Sequence, residues 1–138
     1  MSQGFTGGCL CGAVRYEVKG APVAMRLCYC RVCQYFACGG PAANLQLRAA
    51  DVSLSGPLKD YRSQADSGNS MCRRFCAECG TQVASTSSGR PDLLVLRAGT
   101  LDNPAGFQPQ AAIWVSRAPA WVCMDPELPN FAEQPPPR

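Results

Sequence analysis

Short alternations of apolar and polar residues dominate this chain. Val14, Tyr16 and Val18 alternate with Arg15 and Glu17, the period-two pattern of a half-buried strand, and Gly20-Ala21-Pro22 ends it. Leu45 and Leu47, then Val52 and Leu54, predict two more strands bounded by Gly56-Pro57. The pattern continues over residues 58–62 and gives way to a polar loop over residues 63–70. Residues 70–75 predict a strand entering a cysteine pair, residues 81–85 a strand leaving it, and residues 86–91 a turn. Two apolar stretches, residues 93–98 and 111–115, predict further strands, with Trp121 following. Helical periodicity is weak throughout; its best segment is residues 31–38. The pattern therefore predicts a mainly β fold with little helix, as one domain over residues 3–124. A Pro-rich C-terminal tail, residues 125–138, is expected to lie extended outside the core.

Composition narrows this picture. The chain has 138 residues, enough for one domain with a modest core, and its 13 Gly and 12 Pro agree with many turns and short strands. A net charge of +3 is too mild to indicate nucleic acid, and Arg73-Arg74 is the only adjacent basic pair. No stretch approaches the roughly 18 apolar residues of a membrane span. The N-terminal MSQGFTGGCLCG has neither the charged nor the apolar region of a signal peptide, so a cytoplasmic location is expected, without nucleic-acid or membrane partners.

A reducing compartment changes the meaning of ten cysteines: close spacing there points to metal ligands or catalytic thiols rather than disulfides. The chain has no histidine, so any zinc is held mainly by thiolate and no imidazole serves as a base. Cys76-Ala77-Glu78-Cys79-Gly80 is a knuckle that aims two thiolates at one tetrahedral ion while glycine permits the turn. Cys9-Leu10-Cys11-Gly12 is its expected partner, supplied from a strand distant in sequence. A redox C-x-x-C would open a helix, whereas the chain after Cys79 reads as a strand, so a structural zinc on Cys9, Cys11, Cys76 and Cys79 is the better reading. Cys28-Tyr29-Cys30-Arg31-Val32-Cys33 offers three corners of a second tetrahedron. The fourth corner is either open, as in a working zinc, or closed by Cys38. Cys72 and Cys123 read as small packing residues.

The ordered set of motifs resembles the glutathione-dependent formaldehyde-activating enzyme family, which includes centromere protein V. The matching segments are Gly8-Cys9-Leu10-Cys11-Gly12-Ala13-Val14-Arg15-Tyr16, the C-x-C-x-x-C array at Cys28, Cys30 and Cys33, and Arg74-Phe75-Cys76-x-x-Cys79-Gly80-Thr81. Gly99-Thr100-Leu101-Asp102-Asn103-Pro104, Ile113 and Trp121 fit the later part. The resemblance implies a single-domain β-tent fold, shared with a chaperone of Rab GTPases, around a four-cysteine structural zinc. It implies a second, catalytic and more labile zinc on Cys28, Cys30 and Cys33, hence two ions per chain. The implied reaction condenses glutathione with formaldehyde, a carbon–sulfur lyase reaction run in reverse. The chain differs from the family at Tyr29, where histidine is usual, and over residues 34–38, where many members carry a basic and small polar residues. Tyrosine is a poor base near neutral pH.

The expected chemistry is attack of a thiolate, held at Cys28, Cys30 and Cys33, on a small aldehyde or related carbonyl. Arg31, Arg73 and Arg74 are candidates to pair with carboxylates of a glutathione-like thiol, or to serve as surface charges or counter-charges to the zinc–thiolate centre. Tyr29 is a candidate substrate contact, and both it and Tyr35 also read as packing residues. One rival is a non-catalytic, zinc-stabilised β-tent module that binds a protein partner, with Cys38 closing the second site or that site empty. The other is a thiol-redox or metal-buffering protein.

Overall fold

In the computed structural model, which describes residues 4–136, the alternating segments form two sheets. The smaller has three strands, β1 (Phe5–Gly8), β2 (Arg15–Val18) and β5 (Val52–Ser55), in the order β1-β2-β5. The larger contains β3 (Ala24–Cys28), β4 (Ala42–Arg48), β6 (Leu58–Gln64), β7 (Ser70–Cys76), β8 (Gln82–Ser87), β9 (Leu93–Arg97) and β10 (Ala111–Ile113). Its strand order is β10-β3-β4-β9-β8-β7-β6, antiparallel except for the parallel pair of β10 with β3. One α-helix, α1 (Arg31–Phe36), follows β3. Among the described residues no helix is long and apolar enough to cross a membrane.

The core lies where the alternations of the two sheets face each other. Tyr16 and Val18 of β2 point inward while Arg15 and Glu17 stay exposed. Leu45 and Leu47 of β4, Leu94 and Leu96 of β9, and Val83 of β8 complete one apolar cluster with them. Full burial of each such side chain contributes about 1.5–3 kcal/mol. The Tyr16 hydroxyl reaches Thr100 Oγ1 at 2.7 Å inside this cluster, which satisfies a phenol that would otherwise be stranded.

Several sequence expectations shift. β1 and β3 were not expected: Phe5-Thr6-Gly7-Gly8 has too few apolar residues to alternate, and Ala24-Met25-Arg26-Leu27-Cys28 mixes its two faces. Both strands are made by pairing, β1 with β2 and β3 between β10 and β4. The loop expected over residues 63–70 shrinks, because β6 runs to Gln64 and β7 begins at Ser70. The strand expected over residues 111–115 stops at Ile113, since Trp114 adopts a left-handed φ of 57°. Cys123 is exposed rather than a packing residue, while Cys72 is buried.

The tail is the largest difference. Asn130 forms a parallel bridge with Ala112 of β10, and backbone hydrogen bonds join Ala112 to Pro129 and Phe131 at 2.9 Å each. Trp114, Val115 and Ser116 add bonds to Glu133, Phe131 and Ala132. Proline-rich chain can serve as such an edge because it stays extended and needs few donors. Phe131 packs on the apolar cluster of Cys28, Cys33, Ala42 and Ile113. The segment thus covers the sheet edge instead of hanging free up to Gln134; Gln3, Pro137 and Arg138 of the expected boundaries lie outside the described residues. Truncation after Met124 is expected to cost about 2 kcal/mol, a fall of roughly 6–8 °C in Tm measured by thermal unfolding.

Candidate metal and active centre

Two groups of cysteines, built on different parts of this frame, bring their sulfurs together. In the first, Cys9, Cys11, Cys76 and Cys79 place all four Sγ atoms within 4.8 Å of one another. Cys9 and Cys11 sit in the turn joining β1 to β2, not on a strand as expected. Cys76 ends β7, and Cys79 lies in the turn before β8. The turns are closed by Gly12 N–H to the Cys9 carbonyl at 3.1 Å and Gly80 N–H to the Cys76 carbonyl at 2.9 Å. Both glycines have positive φ, 83° and 79°, which a side chain there would strain.

This geometry fits a tetrahedral ion. Zinc–sulfur bonds of about 2.3 Å require sulfur–sulfur edges of about 3.8 Å. Cys9 and Cys11 are 3.5 Å apart at sulfur, and Cys11 and Cys76 are 3.8 Å apart. Backbone N–H groups of Val14, Glu78 and Cys79 donate to the Cys9 and Cys76 sulfurs at 3.2–3.4 Å, an arrangement that favours thiolates. The Thr81 hydroxyl lies 3.1 Å from Cys79 Sγ; hydrogen bonds from that hydroxyl and then the Thr81 amide pull the Cys79 thiol down to about 5. The same hydroxyl accepts from Leu10 N–H at 3.2 Å and so ties the two turns together.

The second group is Cys28, Cys30 and Cys33, again with all Sγ atoms within 4.8 Å. Cys28 ends β3, Cys30 caps α1, and Cys33 lies in its first turn, its N–H donating to Cys30 Sγ at 3.3 Å. Hydrogen bonds from the Cys28 and Cys33 thiols, reinforced by the charge of Arg73, draw the Cys30 thiol down to about 2. The pairing with Cys30 pushes the Cys28 thiol up.

Cys38 does not join this group. After Phe36 the helix closes with Gly39 N–H to the Gln34 carbonyl at 2.7 Å and Ala37 N–H to the Cys33 carbonyl at 2.9 Å. That closure puts Cys38 in the left-handed region at φ 60°, exposed at the opposite end of α1 from Cys30. Among the described residues the second group therefore has three sulfurs.

The remaining sequence candidates separate. Tyr29 is only 2% exposed, and burial raises its phenol pKa, so in this conformation it forms the interior of the site rather than a surface for substrate. Arg31 is exposed, donates to Gln34 Oε1 at 2.5 Å and lies 5.0 Å from the Tyr35 ring centroid. Strand alternation sends Arg73 and Arg74 to opposite faces of β7. Arg74 pairs with Asp60 at 3.4 Å on β6. Arg73 is 7% exposed, stacks over Phe36 at 5.1 Å, and donates Nη1 to Ser63 Oγ at 3.3 Å; its Nε is buried with no hydrogen-bond partner among the described residues.

Two participants escaped sequence reasoning. Gln34 is buried at 3% and donates Nε2 to the Tyr29 carbonyl at 2.7 Å and to the Arg117 carbonyl at 2.9 Å, which fixes the cysteine loop against residues 115–117. Arg97 ends the apolar strand β9 and donates to Asn44 Oδ1 and, at 3.5 Å, to Ser85 Oγ. Burial lowers its pKa and the charge of Cys33 opposes that shift, which places Arg97 in the field of the trio. A charged residue closing the run Leu93-Leu94-Val95-Leu96 was the available signal.

The sequence model for "glutathione-dependent formaldehyde-activating enzyme" matches residues 4–117. The chain belongs to that family. A Halomonas elongata protein, named provisionally as a glutathione-dependent formaldehyde-activating enzyme, is 30% identical over 122 residues, covering 84% of this chain and 78% of its own. The crystal structure of a Rhodobacter sphaeroides protein superposes with a TM-score of 0.58 at 24% identity, over 75% of this chain and 97% of its own, a likeness of fold. Family membership agrees with the resemblance drawn from the motifs, and the two cysteine groups are those the motifs contain.

Two substitutions test the geometry. Thr81→Val, which removes the hydroxyl shared by Cys79 and Leu10, is expected to weaken retention of the first ion roughly 10- to 100-fold in chelator competition. Cys38→Ser is expected to leave total metal content unchanged by elemental analysis.

Proposed function

We propose that this protein joins a small thiol, glutathione or a relative, to formaldehyde or a related carbonyl at the Cys28, Cys30 and Cys33 centre, as a carbon–sulfur lyase working in the condensing direction. The single observation that carries this reading is a cluster of three cysteine sulfurs that Cys38 does not complete. Three protein thiolates with a free corner are the donor set of a working zinc, and four are the donor set of a structural one. Zinc at the three-thiolate centre would act as a Lewis acid that keeps a substrate sulfur in its thiolate form near neutral pH.

The rest follows from this chain's own residues. Gln34 and the Cys30 cap fix the loop, so the three sulfurs hold one geometry without substrate. Phe131, Ile113 and Ala42 cover the apolar side and limit water around the nucleophile. Arg73 and Arg97 supply positive charge beside the sulfurs, which favours an anionic sulfur over a neutral thiol. The thiolate then adds its electron pair to the carbonyl carbon; the carbonyl π electrons move to oxygen, which takes the proton given up by the thiol. The product is a hydroxymethyl thioether, and thiol plus aldehyde account for all its atoms. With Tyr29 buried, that proton is more directly exchanged with solvent at the mouth of the site. Cysteines spaced as metal ligands suit a reducing compartment such as the cytoplasm.

Zinc stoichiometry with and without glutathione tests this reading. Two ions per chain are expected, with glutathione changing the exchange rate or spectroscopic signature of one, and Cys30→Ser is expected to retain one ion that glutathione does not affect. A single ion in the wild type, insensitive to glutathione and to that substitution, would overturn it in favour of a zinc-stabilised binding module.

A further inference from the structure

Beside the three-sulfur centre lies a cleft of about 200 Å³. Phe36, Ala37, Ala42 and Ala98 form apolar walls, and the polar side chains lining it are Gln82 and Arg97. It adjoins the sulfurs directly: Ala42 is the cross-strand neighbour of Cys28, Ala37 and Ala42 share an apolar cluster with Cys28 and Cys33, and Phe36 is one helical turn beyond Cys33. No acidic side chain lines it.

The charges here lack their usual partners. Among the described residues, the carboxylates pair with Arg15, Arg62, Arg74 and Arg90, and none pairs with Arg73 or Arg97. Arg97 meets only the neutral oxygens of Asn44 and Ser85. Arg73, 7% exposed, lies behind the Phe36 wall with its Nε unpartnered. Arg73 is buried and Arg97 half-buried, and guanidiniums withdrawn from water without carboxylates are costly unless an anion completes them. A guanidinium at the edge of a small apolar cleft is suited to a carboxylate, which it can hold through charge-assisted hydrogen bonds.

We propose that this cleft is the carboxylate subsite of the thiol substrate, with Arg97 as its anion-binding group and the Phe36 and alanine walls receiving the carbon chain. The proposal rests on the condensing reaction assigned above and specifies its substrate class: a thiol carrying a carboxylate on a short flexible arm. Ligand pockets for whole drug-sized molecules span about 300–1,000 Å³. The smaller cleft therefore takes one carboxylate arm of a molecule such as glutathione, and the remainder of that molecule stays outside.

The test is calorimetric titration of the zinc-loaded full chain with glutathione, with 3-mercaptopropionate, and with the methyl ester of 3-mercaptopropionate. The wild type is expected to bind the acid roughly 10- to 100-fold more tightly than the ester. Arg97→Gln is expected to abolish that preference, weakening the acid well beyond the smaller loss that both thiols share through the charge beside the sulfurs, and Arg97→Lys to restore part of it. Gly99 lines the cleft, and a Cβ there would meet nothing within 4 Å, so Gly99→Leu is a second probe that fills the space without touching Arg97. It is expected to weaken the acid and glutathione together. Equal affinity of the wild type for acid and ester would overturn the subsite even if Arg97→Gln failed to fold, as would an acid preference that survives in a folded Arg97→Gln. If none of the three thiols binds the zinc-loaded wild type, the condensing reaction itself falls, which is a different outcome from thiols that bind without regard to charge.

Discussion

Four sulfurs draw together turns of the two sheets, beside hydrogen bonds that run from Thr6, Arg15 and Tyr16 of the smaller sheet to residues 100–102 after β9 of the larger. Cys9 and Cys11 come from the turn of the three-stranded sheet, Cys76 and Cys79 from the end of β7 in the seven-stranded one. Each strand of the smaller sheet has four residues, and three such short strands depend on packing their apolar face for stability. That sheet holds its place by burying Tyr16 and Val18 on the leucines of β4 and β9. Cys9 and Cys76 are themselves part of that apolar cluster, at 7% and 0% exposure. The metal-fitting corner and the hydrophobic core are therefore one cooperative unit, and an ion bound there contributes to folding free energy directly.

That division of labour frees the second group. Cys28, Cys30 and Cys33 stand on β3 and α1, braced by Gln34, β10 and the returning tail. None of those braces depends on a fourth sulfur. A centre whose geometry is kept by hydrogen bonds and packing can leave a coordination position for substrate, whereas a centre that holds the fold together has all its positions taken by protein. The capping of α1 contributes to the same end. Cys38 is close in sequence but lies past a left-handed closure, so proximity along the chain does not become proximity at sulfur.

The parts legible in the sequence were those set by strict local rules. Thiolates at C-x-C and C-x-x-C spacing, followed by glycine in the first group and run together as C-x-C-x-x-C in the second, leave few alternatives in a chain without histidine, so both cysteine groups could be named by residue. The alternation of Val14, Tyr16 and Val18, and of Leu45 and Leu47, predicted which side chains lie inside because one face of each strand meets the core. The rest depended on long-range pairing. The tail has no periodic signal, and its strand-like edge exists only because β10 offers unpaired backbone groups to Pro129 and Phe131. Arg97 resembled the polar end of an apolar strand; its importance comes from Cys33 and Asn44, which are distant in sequence. The Arg73-Arg74 pair looked like two equivalent charges, and only the pleat of β7 sends one toward the sulfurs and the other to Asp60.

Charge accounting connects these observations. In the proposed site a divalent ion with three thiolates carries one negative charge, and the two guanidiniums of Arg73 and Arg97 more than offset it. The buried region is left with one positive charge when a neutral donor takes the fourth position, and reaches neutrality when a thiolate does. Uncompensated charge away from water is expensive, so the arginines bias the fourth position toward an anionic sulfur before any catalytic group acts. A substrate carboxylate lying against Arg97 would take up part of that same positive charge. Binding of the carboxylate and ionisation of the sulfur would then oppose each other electrostatically, and Arg73, whose charge acts on Cys30 and whose Nε is unpartnered, is placed to sustain the thiolate when Arg97 is engaged. Two arginines rather than one are what a site needs if it is to hold a carboxylate at one end of a small molecule and a thiolate at the other.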